Sequence, residues 1–416
     1  MTASGGGSGR HAVGHAGVQY SDQYGDQSDT QSGMQPVPSV APAYDAQQTP
    51  QQPSQQPPRR KRRVLGSVVG IIGEIFLTLA VVCALYIVWQ LWWTGVVSEQ
   101  TQEKQSSEVS WTAPSQSDGS YQIAKAQKGD PPIIDKPSAG DVVGQIYIPR
   151  FGAQWKRLIV EGTTADQLAR HGLGHYPTTQ LPGEVGNFAV AGHRSGYGEP
   201  LGNVPDLKEG DPIVIRTGDY WYVYHYTSHE IVLPSQTAVV APVPNRPDKE
   251  PTERFITLTT CEPRYTSATH RWISYGTFDY WAKVSDGIPK ELASTDATGA
   301  VQFVQNDTQS WTSQIPRLTT LLLWLVISYA ILYIAGAIVW RYPAARARKA
   351  SATYESQTAS IYGWIYRHQP AIAPIRWLLM VILLLIVTVV LFEWVFPWAA
   401  STIPFLRVAS NYSSVV

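Results

Sequence analysis

Phe255-Ile-Thr-Leu-Thr-Thr-Cys261, followed by Glu262-Pro263, has the pattern of a part-buried β-strand that ends at a cysteine. The mixture of β-branched and apolar residues up to Thr260 is typical of such a strand, and Pro263 blocks further ladder pairing. A cysteine at the end of a strand on a rigid sheet is well placed to be an exposed nucleophile. A lone cysteine is nevertheless more often a small buried hydrophobe, so this stretch leaves both interpretations open.

A second signal lies upstream, where the apolar run Ala189-Val-Ala-Gly-His193-Arg194 stops at a Gly-His pair. A single soluble cysteine with a spatially close histidine is a candidate thiol enzyme. The other cysteine, Cys83, lies inside an apolar run and is expected to be buried in lipid. Cys261 therefore has no disulfide partner in its domain, and catalysis is one reason for a thiol to stay free.

The composition indicates a membrane protein with a soluble part. The 416 residues are enough for roughly two or three domains. Charged residues make up 15% of the chain and hydrophobic residues 44%, and the formal net charge is zero. A neutral chain gives no indication of a nucleic-acid partner.

The N-terminal part is predicted to be a tail followed by a membrane anchor. Residues 1–63 are rich in Gly, Ser, Gln and Pro and predict a disordered cytoplasmic tail that ends in a basic cluster. Residues 64–97 predict a first transmembrane helix, with Trp89, Trp92 and Trp93 at the outer interface and Glu74 near the inner edge. The apolar run lies too far from the N-terminus, is too long for a signal peptide and lacks a cleavage site, so we expect it to be retained.

The central part is predicted to be a mostly β domain. Residues 98–140 are polar and predict an extracellular linker, and residues 141–284 contain short alternating strands separated by Gly-Asp and Pro-containing turns. Thr163 to His171 predicts a short helix capped by Thr164. Strands at this spacing favour a closed, mostly antiparallel barrel of about 150 residues.

The C-terminal part is predicted to return to the membrane twice. Residues 285–316 predict a second linker, 317–340 and 377–399 two further transmembrane helices, 341–376 a basic loop, and 400–416 a short tail. The excess of Arg and Lys puts the loop in the cytoplasm. The expected localisation is therefore the cell membrane, in a multi-pass protein whose barrel and C-terminal tail are extracellular.

Gly192-His193-Arg194, then Leu258-Thr-Thr-Cys261, then Arg271 leading a strand, resembles the sortases. Sortases are membrane-anchored cysteine transpeptidases on the outside of Gram-positive bacteria. The resemblance covers about residues 140–284 and includes three further stretches: Gly144-Gln-Ile-Tyr-Ile-Pro149, Gly174-His-Tyr-Pro-Thr-Thr-Gln-Leu-Pro-Gly-Glu-Val-Gly-Asn187 and Leu207-Lys-Glu-Gly-Asp-Pro-Ile213. It implies a sortase-type closed β-barrel of about eight strands with short helices.

The residue types fit that chemistry. A thiolate forms the thioester, so Cys261 is the expected nucleophile, and His193 is the expected general acid/base. Arg271 presents a charged fork of N–H groups and is expected to stabilise the oxyanion or position the substrate. Arg194 and Thr260 are candidate supporting residues, with Arg194 and Arg264 as alternatives to Arg271. No metal site and no cofactor are expected.

Thr257-Leu-Thr-Thr-Cys-Glu-Pro263, the Tyr-Pro ahead of His193, and Gly192-His-Arg-Ser-Gly-Tyr-Gly198 resemble class E sortases of actinobacteria. That class implies anchoring of surface proteins that carry an LAxTG-type or LPxTG-type signal, cleaved between Thr and Gly and transferred to a peptidoglycan amine. One alternative is a class C-like pilin polymerase that uses a pilin lysine. Such enzymes usually carry an Asp-Pro-aromatic lid, and Gly129-Asp-Pro-Pro132 lacks the aromatic residue. Another alternative is a non-catalytic receptor whose barrel binds extracellular peptide.

Overall fold

The computed structural model describes residues 61–304, 315–340, 359–410 and 412. The predicted N-terminal tail up to residue 60, half of the predicted basic loop (341–358) and the last four residues lie outside this range. Residues 305–314 of the second predicted linker and residue 411 of the predicted C-terminal tail also lie outside it.

A closed barrel of eight strands forms the centre of the fold. Its strands are β3 (Val142–Tyr147), β4 (Lys156–Glu161), β5 (Leu173–His175), β6 (Gly186–Gly192), β7 (Pro212–Arg216), β8 (Tyr220–Val232), β9 (Arg254–Glu262) and β10 (His270–Lys283). Around the barrel the order is β10-β8-β7-β3-β4-β5-β6-β9, and β9 pairs with β10 to close it. The pairs β4–β5 and β6–β9 are parallel and the others antiparallel. The predicted mostly β barrel is confirmed.

Alternation along β8 explains both the inside and the outside of the barrel. Tyr222 and Tyr224 face the inner core, while Trp221 and Val223 belong to a second apolar cluster on the outer face. Successive side chains of a strand point to opposite faces. Because this long strand is buried on both faces, its outer face needs a cover.

The two segments predicted as linkers supply that cover. Two short hairpins, β1 (Gln116–Ser117) with β2 (Ser120–Tyr121) and β11 (Ala293–Thr295) with β12 (Val301–Phe303), flank the barrel in sequence. Phe303 lies 6.2 Å from Trp221 between ring centroids and joins the outer cluster. The described parts of these segments, 98–140 and 285–304, are therefore more ordered than their polar composition suggests.

Short helices occupy the connections of the domain. The helix α3 (Ala165–His171) begins with a capping box in which Thr164 and Gln167 bond reciprocally, as the sequence predicts. Single 3₁₀ turns lie at Pro149–Phe151, Val204–Asp206, Thr237–Val240, Val284–Asp286 and Lys290–Leu292.

In the described ranges, three helices are long and apolar enough to cross a membrane, at 66–108, 318–340 and 373–402. The first comprises α1 (Lys61–Val88), a π-helical segment (Trp89–Trp93) and α2 (Thr94–Glu108). The second is α4 (Leu318–Trp340). After α5 (Ile361–His368), the third comprises α6 (Ala373–Val390), a π-helical segment (Leu391–Val395) and α7 (Phe396–Thr402), which α8 (Pro404–Ala409) follows.

The first and third of these helices contact each other at their π-helical segments. Trp89 lies 5.9 Å from Phe396, and Trp93 lies 6.1 Å from Phe392, between ring centroids. Both tryptophans, which the sequence analysis placed at the outer interface, are buried between helices. The first helix does not end after its apolar run. It continues as α2 to Glu108 and contacts the barrel, where Gln102 Oε1 accepts the N–H of Leu158.

Candidate active site

The parallel pairing of β6 and β9 brings His193 to Cys261. Ala191 is the register partner of Thr259, and continuing this register by two residues sets His193 opposite Cys261. The hydroxyl of Thr260 donates to the carbonyl of Gly192 at 2.7 Å. Because both strands run the same way, the histidine and the cysteine meet at one edge of the barrel.

Arg271 is placed on the other side of Cys261 by β10. The two residues are direct partners in the antiparallel β9–β10 ladder. Arg271 Nη1 donates to the carbonyl of His270 at 3.2 Å. Its buried Nε has no hydrogen-bond partner among the described residues. Most of the guanidinium fork is therefore uncommitted.

The two alternative arginines are already engaged. Arg194 forms an ion pair with Glu262 and lies over the ring of Trp272 at 5.1 Å. Arg264 Nη2 bonds to Glu199 Oε2 at 2.6 Å and thereby ties the loop after β9 to the loop after β6. Arg194 Nη1 also donates to the carbonyl of Cys261 at 3.3 Å, which suits the supporting role predicted for it.

Burial sets the electrostatics of the site. The Cys261 side chain is buried, which raises the pKa of its thiol, while Arg271 and Arg194 oppose this effect through their positive charges. Complete burial lowers the pKa of His193 from its ordinary value to about 4. At neutral pH the resting pair is therefore mainly a neutral thiol and a neutral imidazole.

Two tyrosines that sequence reasoning did not single out also belong to the site. The hydroxyl of Tyr176 bonds to Thr259 Oγ1 at 3.0 Å, and charges on Arg271 and Cys261 act on its ionisation. The ring of Tyr197 lies 4.6 Å from the ring of His193. Both tyrosines stand in the motifs around the histidine, and that adjacency was the available signal.

Four further histidines of the domain contact other side chains and not the candidate site: His171 with Gln105, His175 with Glu161, His225 with Asp279 and His229 with Trp272. In the described ranges, no three His, Cys, Asp or Glu side chains are grouped so that they could hold a metal ion.

Comparison with known proteins gives the family. A sortase-domain family model matches residues 146–279. Sortase SrtE2 of Streptomyces coelicolor is 33% identical over 243 residues, covering 55% of this chain and 90% of that protein. Sortase SrtE1 of the same organism is 32% identical over 235 residues, covering 54% of this chain and 60% of that protein.

Among solved structures, the SrtA sortase from Actinomyces oris is 41% identical and covers 40% of this chain and 96% of that chain, with a TM-score of 0.39. Sortase E from Streptomyces avermitilis is 39% identical and covers 38% of this chain and 99% of that chain, with a TM-score of 0.34. Since the chain covers 90% of a 33% identical sortase, and the family model falls on the barrel, the chain belongs to the sortase family and is a cysteine transpeptidase.

Proposed function

We propose that this enzyme cleaves an LAxTG-type or LPxTG-type sorting signal between Thr and Gly and transfers the surface protein to a peptidoglycan amine. The observation that carries the proposal is the register that sets His193 and Arg271 on either side of Cys261. The relatives named as sortases E support the anchoring role.

In the first step the Cys261 thiolate attacks the carbonyl carbon of the signal threonine. The C–N bond to glycine breaks, the imidazolium of His193 gives its proton to the departing amine, and a thioester remains on the sulfur. Only the minor thiolate–imidazolium form does this, because burial favours the neutral pair.

In the second step the acceptor amine attacks the thioester. Neutral His193 takes the proton that the amine loses, and the C–S bond breaks, which returns the starting thiolate–imidazolium pair. In both steps a negative oxygen forms next to Cys261. The uncommitted N–H groups of Arg271 are the donors we assign to that oxygen.

We further propose that the barrel and the C-terminal tail lie outside the cell, with the N-terminus and the loop 341–376, which contains α5, inside. The three apolar helices support a membrane-anchored chain. The Arg-rich composition of residues 341–376 supports the cytoplasmic assignment of that loop.

The position of Asp130 argues against the pilin-polymerase alternative. A lid of that class would cover the nucleophile. Here the exposed Asp130 pairs with Arg254 at 2.6 Å, at the start of β9, whereas Cys261 lies near its end. Seven residues of strand separate the two ends by roughly 23 Å. The segment therefore packs at the far side of the barrel.

The non-catalytic receptor alternative is not retained, since the chain is a member of an enzyme family.

The test is peptide-level mass spectrometry of the full-length enzyme in detergent micelles. The enzyme is mixed with an LAxTG or an LPxTG peptide. The acceptor amine is either a peptidoglycan stem peptide or a lysine peptide from a pilin. We expect an acyl adduct on Cys261 and a product that requires the stem-peptide amine. The same mixture with the Cys261→Ala variant is the control for non-specific acylation, because the other cysteine, Cys83, lies on the apolar helix α1. Absence of an adduct on Cys261 in folded enzyme would refute the proposal, and exclusive use of the lysine peptide would favour pilin assembly.

A further inference from the structure

Within the described part of the chain, no hydrogen bond orients the ring of His193. Both ring nitrogens are buried, and neither has a partner among the described residues. A catalytic base normally needs a third group that fixes its orientation. Here packing must do this, and the closest aromatic neighbour recorded for the ring is Tyr197, at 4.6 Å and an interplanar angle of 37°.

Tyr197 itself is held in an unusual backbone conformation. Four consecutive residues have positive φ: Gly196 (66°), Tyr197 (51°), Gly198 (80°) and Glu199 (45°). Positive φ is uncommon for tyrosine and glutamate. Such a conformation persists only where the surroundings determine it, which directs attention to what packs against this loop.

The helix leaving the first candidate membrane span packs against it. The hydroxyl of Thr94, the first residue of α2, accepts the N–H of Tyr197 at 2.8 Å in a buried position. A Cβ at Gly196 would lie 2.5 Å from Gln90 Nε2, and a Cβ at Gly95 would lie 3.5 Å from the Cα of Gly198. The glycines thus permit helix and loop to approach each other backbone to backbone.

The C-terminal segment completes this enclosure. Gln90 Nε2 donates to the carbonyl of Ser410 at 3.2 Å. The ring of Tyr412 lies 6.2 Å from that of Tyr197. The hydroxyl of Tyr197 is buried beside Gln90 and Ser410, and the residue is only 5% exposed. Residues remote in sequence therefore meet on one side chain.

We propose that Tyr197 is a positioning residue for His193 and that α2, together with Ser410 and Tyr412 near the C-terminus, holds it in place. The proposal rests on the general acid/base role proposed for His193. It gives the third membrane helix a task in catalysis, because α8 and Ser410 reach Tyr197 only by way of that helix.

The test compares kcat and KM of full-length variants in detergent micelles, with the sorting peptide and acceptor amine that the wild type uses. Tyr197→Leu removes the ring, and we expect kcat to fall about tenfold to a hundredfold with little change in KM, as misplacement of a catalytic group predicts. Tyr197→Phe keeps the ring and should stay within about threefold of wild type.

The helix contact is tested by a matched pair of substitutions. Thr94→Val removes the acceptor of the Tyr197 N–H and should lower kcat about fivefold. Thr101→Val is the control, since Thr101 bonds to the carbonyl four residues earlier, as Thr94 does, but is exposed. Removal of residues 404–416, which leaves the third membrane helix, should lower kcat about fivefold as well.

Wild-type kcat in Tyr197→Leu would overturn the proposal, as would equal effects of Thr94→Val and Thr101→Val. If Tyr197→Leu merely unfolds, it will lose its melting transition and its peptide binding together. The kcat values of Tyr197→Phe and Thr94→Val then decide whether Tyr197 positions His193. Failure of the proposed function is distinguishable, because the wild type would then form no acyl-enzyme or His193→Ala would turn over normally.

Discussion

Replacing Arg271 by lysine and by glutamine separates the charge of its guanidinium from its fork of N–H groups. The structure gives Arg271 both means of acting on the site. Its charge lowers the pKa of the Cys261 thiol against the effect of burial, and its Nε has no partner among the described residues. Lysine keeps the charge but is a point donor, while glutamine keeps neither the charge nor the fork.

The expected magnitudes follow from the ladder. Because Arg271 and Cys261 are direct partners in an antiparallel pair, the guanidinium charge lies on the order of 6 Å from the Cys261 sulfur. At that distance an effective dielectric constant of about 20 gives an attraction of about 3 kcal/mol between the guanidinium and the thiolate. Part exposure of Arg271 reduces this by about half, so that Arg271→Gln should slow alkylation of Cys261 at neutral pH about tenfold. Loss of an oxyanion donor should lower kcat by roughly 10² to 10³ in both variants.

Two assays on the same full-length preparations report the two effects. Iodoacetamide labelling followed by peptide mass spectrometry measures the reactivity of Cys261 and separates it from Cys83. Transpeptidation of the sorting peptide gives kcat. Arg254→Gln is the control, because Arg254 stands at the opposite end of the same strand as Cys261 and should leave alkylation unchanged.

We expect Arg271→Lys to keep the alkylation rate of Cys261 near that of the wild type but to lose turnover. Near-normal turnover of Arg271→Lys would show that the fork is not used and that Arg271 is misassigned. Unchanged alkylation in Arg271→Gln would show that its charge does not reach the thiol.

Three further predictions concern the pair and the core. Cys261→Ala and His193→Ala should abolish turnover in the peptide assay, and residual product above background would contradict their roles. Burial lowers the pKa of His193 to about 4. On the acid side of the pH profile, kcat/KM should therefore fall only as the pH drops through about 4, where His193 gains a proton while the thiol keeps its own. An acid limb near pH 6.5 would mean that the ring of His193 is solvated. Phe303→Ala should lower the free energy of unfolding by about 3 kcal/mol in a denaturant titration. The control Ile133→Ala, at a residue that is 43% exposed, should lower it by less than about 1 kcal/mol. Equal losses would show that the outer cluster does not contribute to stability as a core does.

The fold was predictable where local signals and packing agree. Trp221 to Thr227 has the β-branched and aromatic content of a strand and lies within β8, and Thr164, the predicted cap, does begin α3. The flanking segments were harder to predict because their few apolar residues are widely spaced. Phe303 and Ile288 stand among polar residues, and only the barrel surface shows that they cover Trp221.

The candidate residues of the site could be named from the sequence, but their surroundings could not. The residue types and motif order single out Cys261, His193 and Arg271, yet their mutual placement depends on a parallel register that alternation along single strands does not encode. Tyr197 was missed for a similar reason. Its partners Thr94 and Ser410 lie about a hundred and two hundred residues away, so their contacts arise from tertiary packing alone.

The continuous helix α1–α2 relates the membrane to the chemistry. Trp93, the last residue of the first π-helical segment, packs against Phe392 of the third apolar helix. The next residue, Thr94, accepts a hydrogen bond from the N–H of Tyr197, whose ring packs on His193. A helix rises about 1.5 Å per residue. The contact between the membrane helices and the contact with Tyr197, which packs on His193, therefore lie within about one helical turn of each other. Under the proposed topology a rigid helix, and not a flexible stalk, therefore sets the height of the site, and a sorting signal must be presented close to the outer membrane surface to reach Cys261.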